Sequence, residues 1–104
     1  MITRNEDNIR ELIDGNTHVV IQFGASWCVP CMQLKPKVEK ISFENSDVVF
    51  AYIDVEDAHG FSMESNVQSV PTVIGFHNSV EVVRVVGNNE TAVKELVEKV
   101  RSKL

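Results

Sequence analysis

Two short apolar runs separated by an amphipathic segment constrain the fold more than any other feature of this sequence. Residues 19–23 and 48–54 are rich in valine, isoleucine and phenylalanine, which indicates strands that are buried on both faces. Between them lie apolar side chains at helical spacing: Cys31, Leu34, Val38 and Ile41. We therefore predict a helix over residues 29–43. A strand–helix–strand unit of this kind crosses over right-handed and keeps its two strands parallel.

The first part of the chain and the region after the second strand are predicted to be helical. Residues 3–14 contain a capping box formed by Thr3 and Glu6, an apolar stripe, and Gly15 at the expected end. Residues 57–65 have a weaker and more irregular helical pattern.

The last third of the chain predicts a hairpin followed by a helix. Residues 72–77 and 80–86 have strand character and are joined by only Asn78 and Ser79, which indicates a tight antiparallel turn. Asn89 suits the cap of a final amphipathic helix. The predicted fold class is α/β, a mixed central β-sheet flanked by helices on both faces in a three-layer sandwich.

Length, composition and charge exclude several classes of protein. The chain has 104 residues, 43% hydrophobic and 24% charged, so we expect one globular domain over residues 1–104. A net charge of −5 disfavours binding to nucleic acid. No apolar run approaches the roughly 20 residues of a membrane helix. Residues 1–8 are polar and do not resemble a secretory signal, so the expected location is cytoplasmic.

The two cysteines, Cys28 and Cys31, are the candidate catalytic residues. A disulfide scaffold would distribute more cysteines along the chain, and a structural zinc site needs about four ligands. A disulfide that closes so short a loop would stabilise the fold little. A C-x-x-C motif at the junction of a strand and a helix is instead typical of a redox pair.

The position of the pair predicts a different role for each sulfur. Cys28 lies where unpaired N–H groups and the positive end of the helix dipole favour a thiolate, which is the nucleophilic form. Cys31 lies in the first helical turn and is less accessible. We expect Cys28 to attack a target disulfide, and Cys31 then to attack Cys28, which releases the reduced target and forms a Cys28–Cys31 disulfide.

The residues around the pair resemble the active-site region of the thioredoxin family. The matching residues are Phe23-Gly24-Ala25-Ser26-Trp27-Cys28-Val29-Pro30-Cys31, with Leu34-Lys35-Pro36 after them, Val70-Pro71-Thr72 and Val86-Gly87. The order of the predicted elements also matches, so the resemblance covers essentially the whole chain.

The resemblance implies a thioredoxin fold and a protein-disulfide reductase of general cell redox homeostasis. It implies that electrons come from a thioredoxin reductase. We expect no bound cofactor or metal, and nothing in the sequence demands more than a monomer. The resemblance also implies a cis peptide bond before Pro71. The implied substrate-binding residues, hereafter the docking surface, are Trp27, Val29, Pro30, Val70, Pro71 and Gly87.

Several residues depart from the family pattern. Gln22 stands where the family usually has a buried aspartate, and Phe50 stands near the position of the usual lysine. Gln22 cannot accept a proton for Cys31 as a carboxylate would. Met32 replaces the usual lysine after the second cysteine, and Val29 replaces a glycine.

Other functions are left open by the residues alone. A disulfide oxidase or isomerase on the same fold would differ in redox potential. A thioredoxin-like interaction module would not need both cysteines. A metal-binding protein would carry zinc when reduced.

Overall fold

Five strands and four helices make up the computed structural model, which describes residues 1–102. In chain order the elements are β1 (Ile2–Arg4), α1 (Ile9–Asp14), β2 (His18–Gly24), α2 (Val29–Glu44), β3 (Val49–Asp54), α3 (His59–Glu64), β4 (Thr72–His77), β5 (Val80–Val86) and α4 (Glu90–Ser102). Apart from the N-terminal strand, this is the predicted order.

The five strands form one mixed sheet in the order β1-β3-β2-β4-β5. Strands β1, β3 and β2 are parallel, whereas β4 runs antiparallel to β2 and pairs with β5 in a hairpin. The parallel pairing of β2 and β3 confirms the predicted crossover through α2. The antiparallel edge confirms the mixed sheet.

The beginning of the chain does not form the helix predicted over residues 3–14. Residues Ile2–Arg4 are β1, paired with β3, and α1 begins only after Asn8. Glu6 does not complete a capping box, because its Oε1 accepts a hydrogen bond from the backbone N–H of Phe61 at 2.9 Å. Pairing with a strand some fifty residues away overrides the local capping signal.

Helices cover both faces of the sheet. On one face α1 and α3 pack on β2, β3 and β4 through a cluster that includes Ile9, Ile21 and Phe61. On the other face α2 and α4 pack through a cluster that includes Leu34 and Leu96. The alternation of side chains along each strand divides the core between these two faces. The structure therefore confirms the three-layer arrangement.

Close packing of α4 on the sheet depends on a glycine in β4. A Cβ on Gly75 would collide with the side chain of Val100 and approach Leu96 Cδ2 to 3.2 Å. The start of α4 is capped as predicted, because Asn89 Oδ1 accepts a hydrogen bond from Ala92 N at 3.0 Å. No helix within residues 1–102 is both long and apolar enough to cross a membrane.

Candidate active site

The register of the sheet brings the loop after β2 and the loop before β4 to the same end of the sheet. Phe23 at the end of β2 lies opposite Thr72 at the start of β4, and Gly24 lies opposite Asp54 at the end of β3. The loop after β2 carries the cysteines, and the loop before β4 carries Pro71. Residues far apart in sequence meet at this end of the sheet because β2 and its parallel neighbour β3 end there, where the antiparallel β4 begins.

Cys28 and Cys31 form a disulfide bond at the start of α2, with Cα atoms 5.2 Å apart. Cys28 is the N-cap residue of α2, and its Sγ accepts a hydrogen bond from the backbone N–H of Cys31 at 3.2 Å. Cys28 is 5% exposed and Cys31 is fully buried. Cys28 is thus the more accessible of two largely buried sulfurs, and a helix N–H already points at it.

The loop before β4 lies against Cys28. The Val70–Pro71 peptide bond is cis, as predicted, and the carbonyl oxygen of Val70 lies 3.8 Å from Cys28 Sγ. Gly87 has a positive φ of 102° and donates its N–H to the carbonyl oxygen of Pro71 at 2.9 Å. The turn after β5 therefore supports the proline loop from the side, in a conformation that favours glycine.

Apolar side chains surround this disulfide on the outside of the molecule. Trp27 is 65% exposed and Val29 is 66% exposed, and Met32 is exposed as well. Large apolar groups that remain in water around a reactive atom are typical of a contact surface for a partner.

Beneath the disulfide, a neutral amide occupies the buried position. Gln22 is fully buried, and its Nε2 donates to the carbonyl oxygen of Cys31 at 3.2 Å. Its Oε1 has no hydrogen-bond partner within residues 1–102. Gln22 therefore ties the first turn of α2 to the sheet without contributing a charge.

The residue directly opposite Gln22 on β3 is Tyr52. In the β2–β3 register Phe50 lies opposite Val20. Register partners on parallel strands point to the same face, so Tyr52 shares the environment beneath the disulfide. Phe50 lies one full alternation of the strand away from Tyr52, on the same face of the sheet.

Tyr52 is in contact with a cation from α2, the side chain of Lys35. The ammonium group of Lys35 lies 4.1 Å from the centroid of its ring, a cation–π contact. Burial raises the pKa of the Tyr52 hydroxyl above its ordinary value, with a further rise from the charge of Asp54. The sequence did not predict the contact between Tyr52 and Lys35, although Lys35 belongs to the family-like Leu34-Lys35-Pro36 run, because the contact depends on how α2 crosses β3.

A groove adjoins the disulfide on the side of α3. Its cavity has a volume of about 470 Å³, and Trp27 and Val70 are shared between the groove and the docking surface. The sequence did not point to this groove, since its walls come from three separate segments.

The geometry suits thiol chemistry better than metal binding. Among the described residues, no three His, Cys, Asp or Glu side chains are grouped so that they could hold a metal ion. The disulfide can be opened only by a thiolate or a reductant, after which Cys28 would be the accessible sulfur.

Comparison with known proteins agrees with the site. A model of the thioredoxin family matches residues 1–101. A thioredoxin of Echinococcus granulosus is 36% identical over 92 residues, covering 88% of this chain and 86% of that protein. Thioredoxin-2 of Saccharomyces cerevisiae is 37% identical over 86 residues, 83% of each chain.

Solved structures give the same result. The X-ray structure of Fasciola hepatica thioredoxin superposes with a TM-score of 0.91 at 31% identity, covering 96% of this chain and 99% of that one. The oxidised thioredoxin of Plasmodium falciparum has a TM-score of 0.89 at 29% identity, with 95% and 96% covered. The Cys28–Cys31 pair is therefore a redox-active disulfide of a thiol–disulfide oxidoreductase that works by dithiol–disulfide exchange, and the chain belongs to the thioredoxin family.

Proposed function

We propose that this protein reduces disulfide bonds in other proteins, with Cys28 as the attacking sulfur and Cys31 as the resolving one. One observation carries this assignment of roles. The Sγ of Cys28 caps α2 and accepts the N–H of Cys31 at 3.2 Å, whereas Cys31 is fully buried behind it. A hydrogen bond from a helix terminus favours a negative sulfur at Cys28.

The reaction transfers two electrons from the protein to the target. In the first step the Cys28 thiolate forms a bond to one target sulfur, and the other target sulfur leaves as a thiolate. In the second step the Cys31 thiolate attacks Cys28 Sγ, breaks the mixed disulfide and expels the second target thiolate. The protein ends with the Cys28–Cys31 disulfide and the target with two thiols.

The docking surface would hold the target during the first step. Val70 is the key residue, because its carbonyl oxygen lies 3.8 Å from Cys28 Sγ and an extended target could pair with its backbone. Trp27, Val29 and Pro30 would contact the target from the cysteine loop, and Gly87 from the turn after β5. Contacts of this kind recognise backbone and shape more than charge.

The electron donor, compartment and assembly complete the proposal. Members of the family act on disulfide substrates and are reduced by thioredoxin reductase, which we propose as the donor here. We also propose a cytoplasmic monomer whose residues 1–104 form one domain. A structural relative at 28% identity is a mitochondrial thioredoxin of S. cerevisiae, so cell fractionation is the test of compartment.

The decisive experiment follows NADPH oxidation by a thioredoxin reductase in the presence of this protein and insulin. We expect turnover with the native chain and none with Cys28→Ser. Equilibration of the native chain with a glutathione buffer distinguishes a reductase from an oxidase. If the Cys28–Cys31 disulfide is reduced only in strongly reducing glutathione buffer, the protein is a reductase. If glutathione reduces it readily, the protein is an oxidase or isomerase.

A further inference from the structure

Two histidines form a pair at the end of the sheet opposite the disulfide. His18 begins β2, His77 ends β4, and the two lie directly opposite each other in the β2–β4 register. Their ring centroids are 5.0 Å apart, with the ring planes at 49°. At about 3.3 Å for each residue, the length of β2 places the pair roughly 20 Å from the end of the strand that leads to Cys28. The pair is therefore separate from the site that carries the cysteines.

The strand pairing brings these two side chains together in the closer of the two possible ways. The backbone N–H of Asn78 donates to the carbonyl oxygen of Thr17 at 2.9 Å, so Thr17 and Asn78 are a hydrogen-bonded pair of the ladder. Hydrogen-bonded and non-hydrogen-bonded pairs alternate along antiparallel strands, which makes His18 and His77 a non-hydrogen-bonded pair. Opposite residues in such a pair have the shorter Cα separation, about 4.5 Å, and their side chains share one face.

A hydrogen bond determines which nitrogen of His77 is available to a ligand. The Nδ1 atom lies 3.1 Å from the carbonyl oxygen of Val100 in the last turn of α4. A carbonyl oxygen can only accept, so Nδ1 carries the proton and the neutral ring has its lone pair on Nε2. The last carbonyl groups of a helix have no partner within it, so this contact also completes the end of α4. Metal-binding histidines are oriented in the same way, with one ring N–H on a backbone carbonyl and the other nitrogen on the metal.

The spacing and the surrounding charge both suit a shared cation. Two imidazoles on one tetrahedral ion, with metal–nitrogen bonds of about 2.0 Å, have ring centroids roughly 5 Å apart. The observed separation is 5.0 Å. The carbonyl end of α4 carries a partial negative charge. Nearby, Asp47 and Glu98 both pair with Arg101, which leaves one negative charge in excess.

We propose that His18 and His77 bind one divalent transition-metal ion of the zinc type, each through one ring nitrogen. Imidazole is a good ligand for Zn²⁺, Cu²⁺ and Ni²⁺, whereas Mg²⁺ and Ca²⁺ prefer oxygen. Within residues 1–102, no third His, Cys, Asp or Glu side chain joins the pair in a metal-binding group, so water would complete the coordination. The ion would link β2 to β4 beside the end of α4. This site is independent of the proposed reductase function.

A zinc titration of the native chain tests the proposal directly. The oxidised protein is used, because the cysteines in their disulfide cannot compete as thiolate ligands. NMR detection of the histidine ring nitrogens should show the signals of His18 and His77 shifting together and saturating at one ion for each chain. The remaining histidine, His59, is exposed at the start of α3 and should not shift. Magnesium at the same concentration should shift none of the three.

Two results of that titration would overturn the proposal. A zinc shift confined to His59, or no saturable shift at His18 and His77, would show that the pair does not hold the ion. Equal shifts with Mg²⁺ would show general attraction to an acidic protein, since the chain has a net charge of −5. Because the native chain is used throughout, neither result depends on whether a variant folds.

Variants then measure the contribution of each ligand. His18→Gln and His77→Gln should each weaken zinc binding at least about tenfold in isothermal titration calorimetry, because the second bond to an ion that is already held is intramolecular. His59→Gln is the matched control and should bind zinc with native affinity. Zinc should raise the Tm of the native chain and of His59→Gln, since it binds the folded state, but not that of His18→Gln. Native zinc affinity in His18→Gln or His77→Gln would refute the assignment.

Discussion

Gln22 donates a hydrogen bond from its side chain to the carbonyl oxygen of Cys31 over 3.2 Å, which joins the centre of the sheet to the first turn of α2. The other end of the amide, Oε1, is buried with no partner among residues 1–102. A neutral side chain at this depth positions the resolving cysteine but cannot accept its proton. The resolving step should therefore depend on the ionisation of Cys31 alone.

Replacing Gln22 with Asp should add a second ionisation to that step. Burial raises the pKa of an introduced carboxyl, so it can accept a proton from Cys31 as the pH rises through its own range. Stopped-flow measurement of mixed-disulfide resolution across pH would show an extra inflection. Gln22→Asn is the matched control, because it shortens the side chain by the same amount as Gln22→Asp but does not introduce an acid. Both variants should lose about 1–3 kcal/mol of unfolding free energy with the bond to Cys31. Identical pH profiles for the Asp and Asn variants would refute the idea.

Single serine substitutions should separate the roles of the two cysteines. Cys31→Ser keeps the attacking sulfur but cannot resolve the mixed disulfide, so a covalent complex with a protein disulfide should accumulate. Cys28→Ser leaves only the buried sulfur and should give no complex. Non-reducing gel electrophoresis with mass spectrometry measures the adducts. If adducts form only with Cys28→Ser, Cys31 is the attacking cysteine and Cys28 the resolving one.

The ion pair between Asp47 and Arg101 should contribute to stability only above acid pH. Arg101 donates to both carboxylate oxygens at 2.6 and 2.9 Å and lowers the pKa of Asp47 from 3.8 to about 2. Because the folded-state pKa is the lower one, the contribution is present above pH 3.8 and is lost as the pH falls toward 2. Arg101→Lys should raise the pKa of Asp47 in an NMR titration. It should also reduce the amount of unfolding free energy that is lost when the pH falls.

Lys94→Arg is the control for this prediction. Lys94 lies 3.9 Å from Glu90 on the same helix, so exchanging one cation for the other there keeps the net charge, as Arg101→Lys does, without touching Asp47. Both partners of the Asp47 pair are partly exposed, so the effect at neutral pH should be small and weaken with salt. An Asp47 titration that is the same in the native and Arg101→Lys proteins would contradict the assignment.

The hairpin turn should be improved by a glycine. Asn78 and Ser79 have φ values of 50° and 69°, as in the two central residues of a type I′ turn, where Asn-Gly is preferred. Ser79→Gly should raise the unfolding free energy by about 0.5–1 kcal/mol, because serine pays a steric cost there that glycine does not. Urea denaturation measures it as a higher midpoint with the same slope. Ser79→Ala should give no such gain, and equal midpoints for the two variants would show that the turn is not under steric constraint.

The prediction of the fold was accurate where the signal is local. The apolar runs of β2 and β3, the stripe of α2 and the Asn78-Ser79 turn each act within a few residues, so their spacing identifies them. Strand β1 was missed because three residues carry no periodicity, and its stability comes from pairing with β3. Thr3 and Glu6 have the spacing of a capping box, but the carboxylate of Glu6 accepts a hydrogen bond from the backbone N–H of Phe61 instead.

The same division applies to the site. The chain itself determined that a nucleophilic cysteine stands at a helix terminus, because strand, turn, cysteines and Pro30 are consecutive in sequence. Tertiary structure decided which groups surround that sulfur. Sheet register placed Tyr52 rather than Phe50 beside Gln22, and brought Val70 to 3.8 Å from Cys28. Such contacts join residues tens of positions apart, and no pattern within a single segment records them, since they arise only when the sheet and its helices pack together.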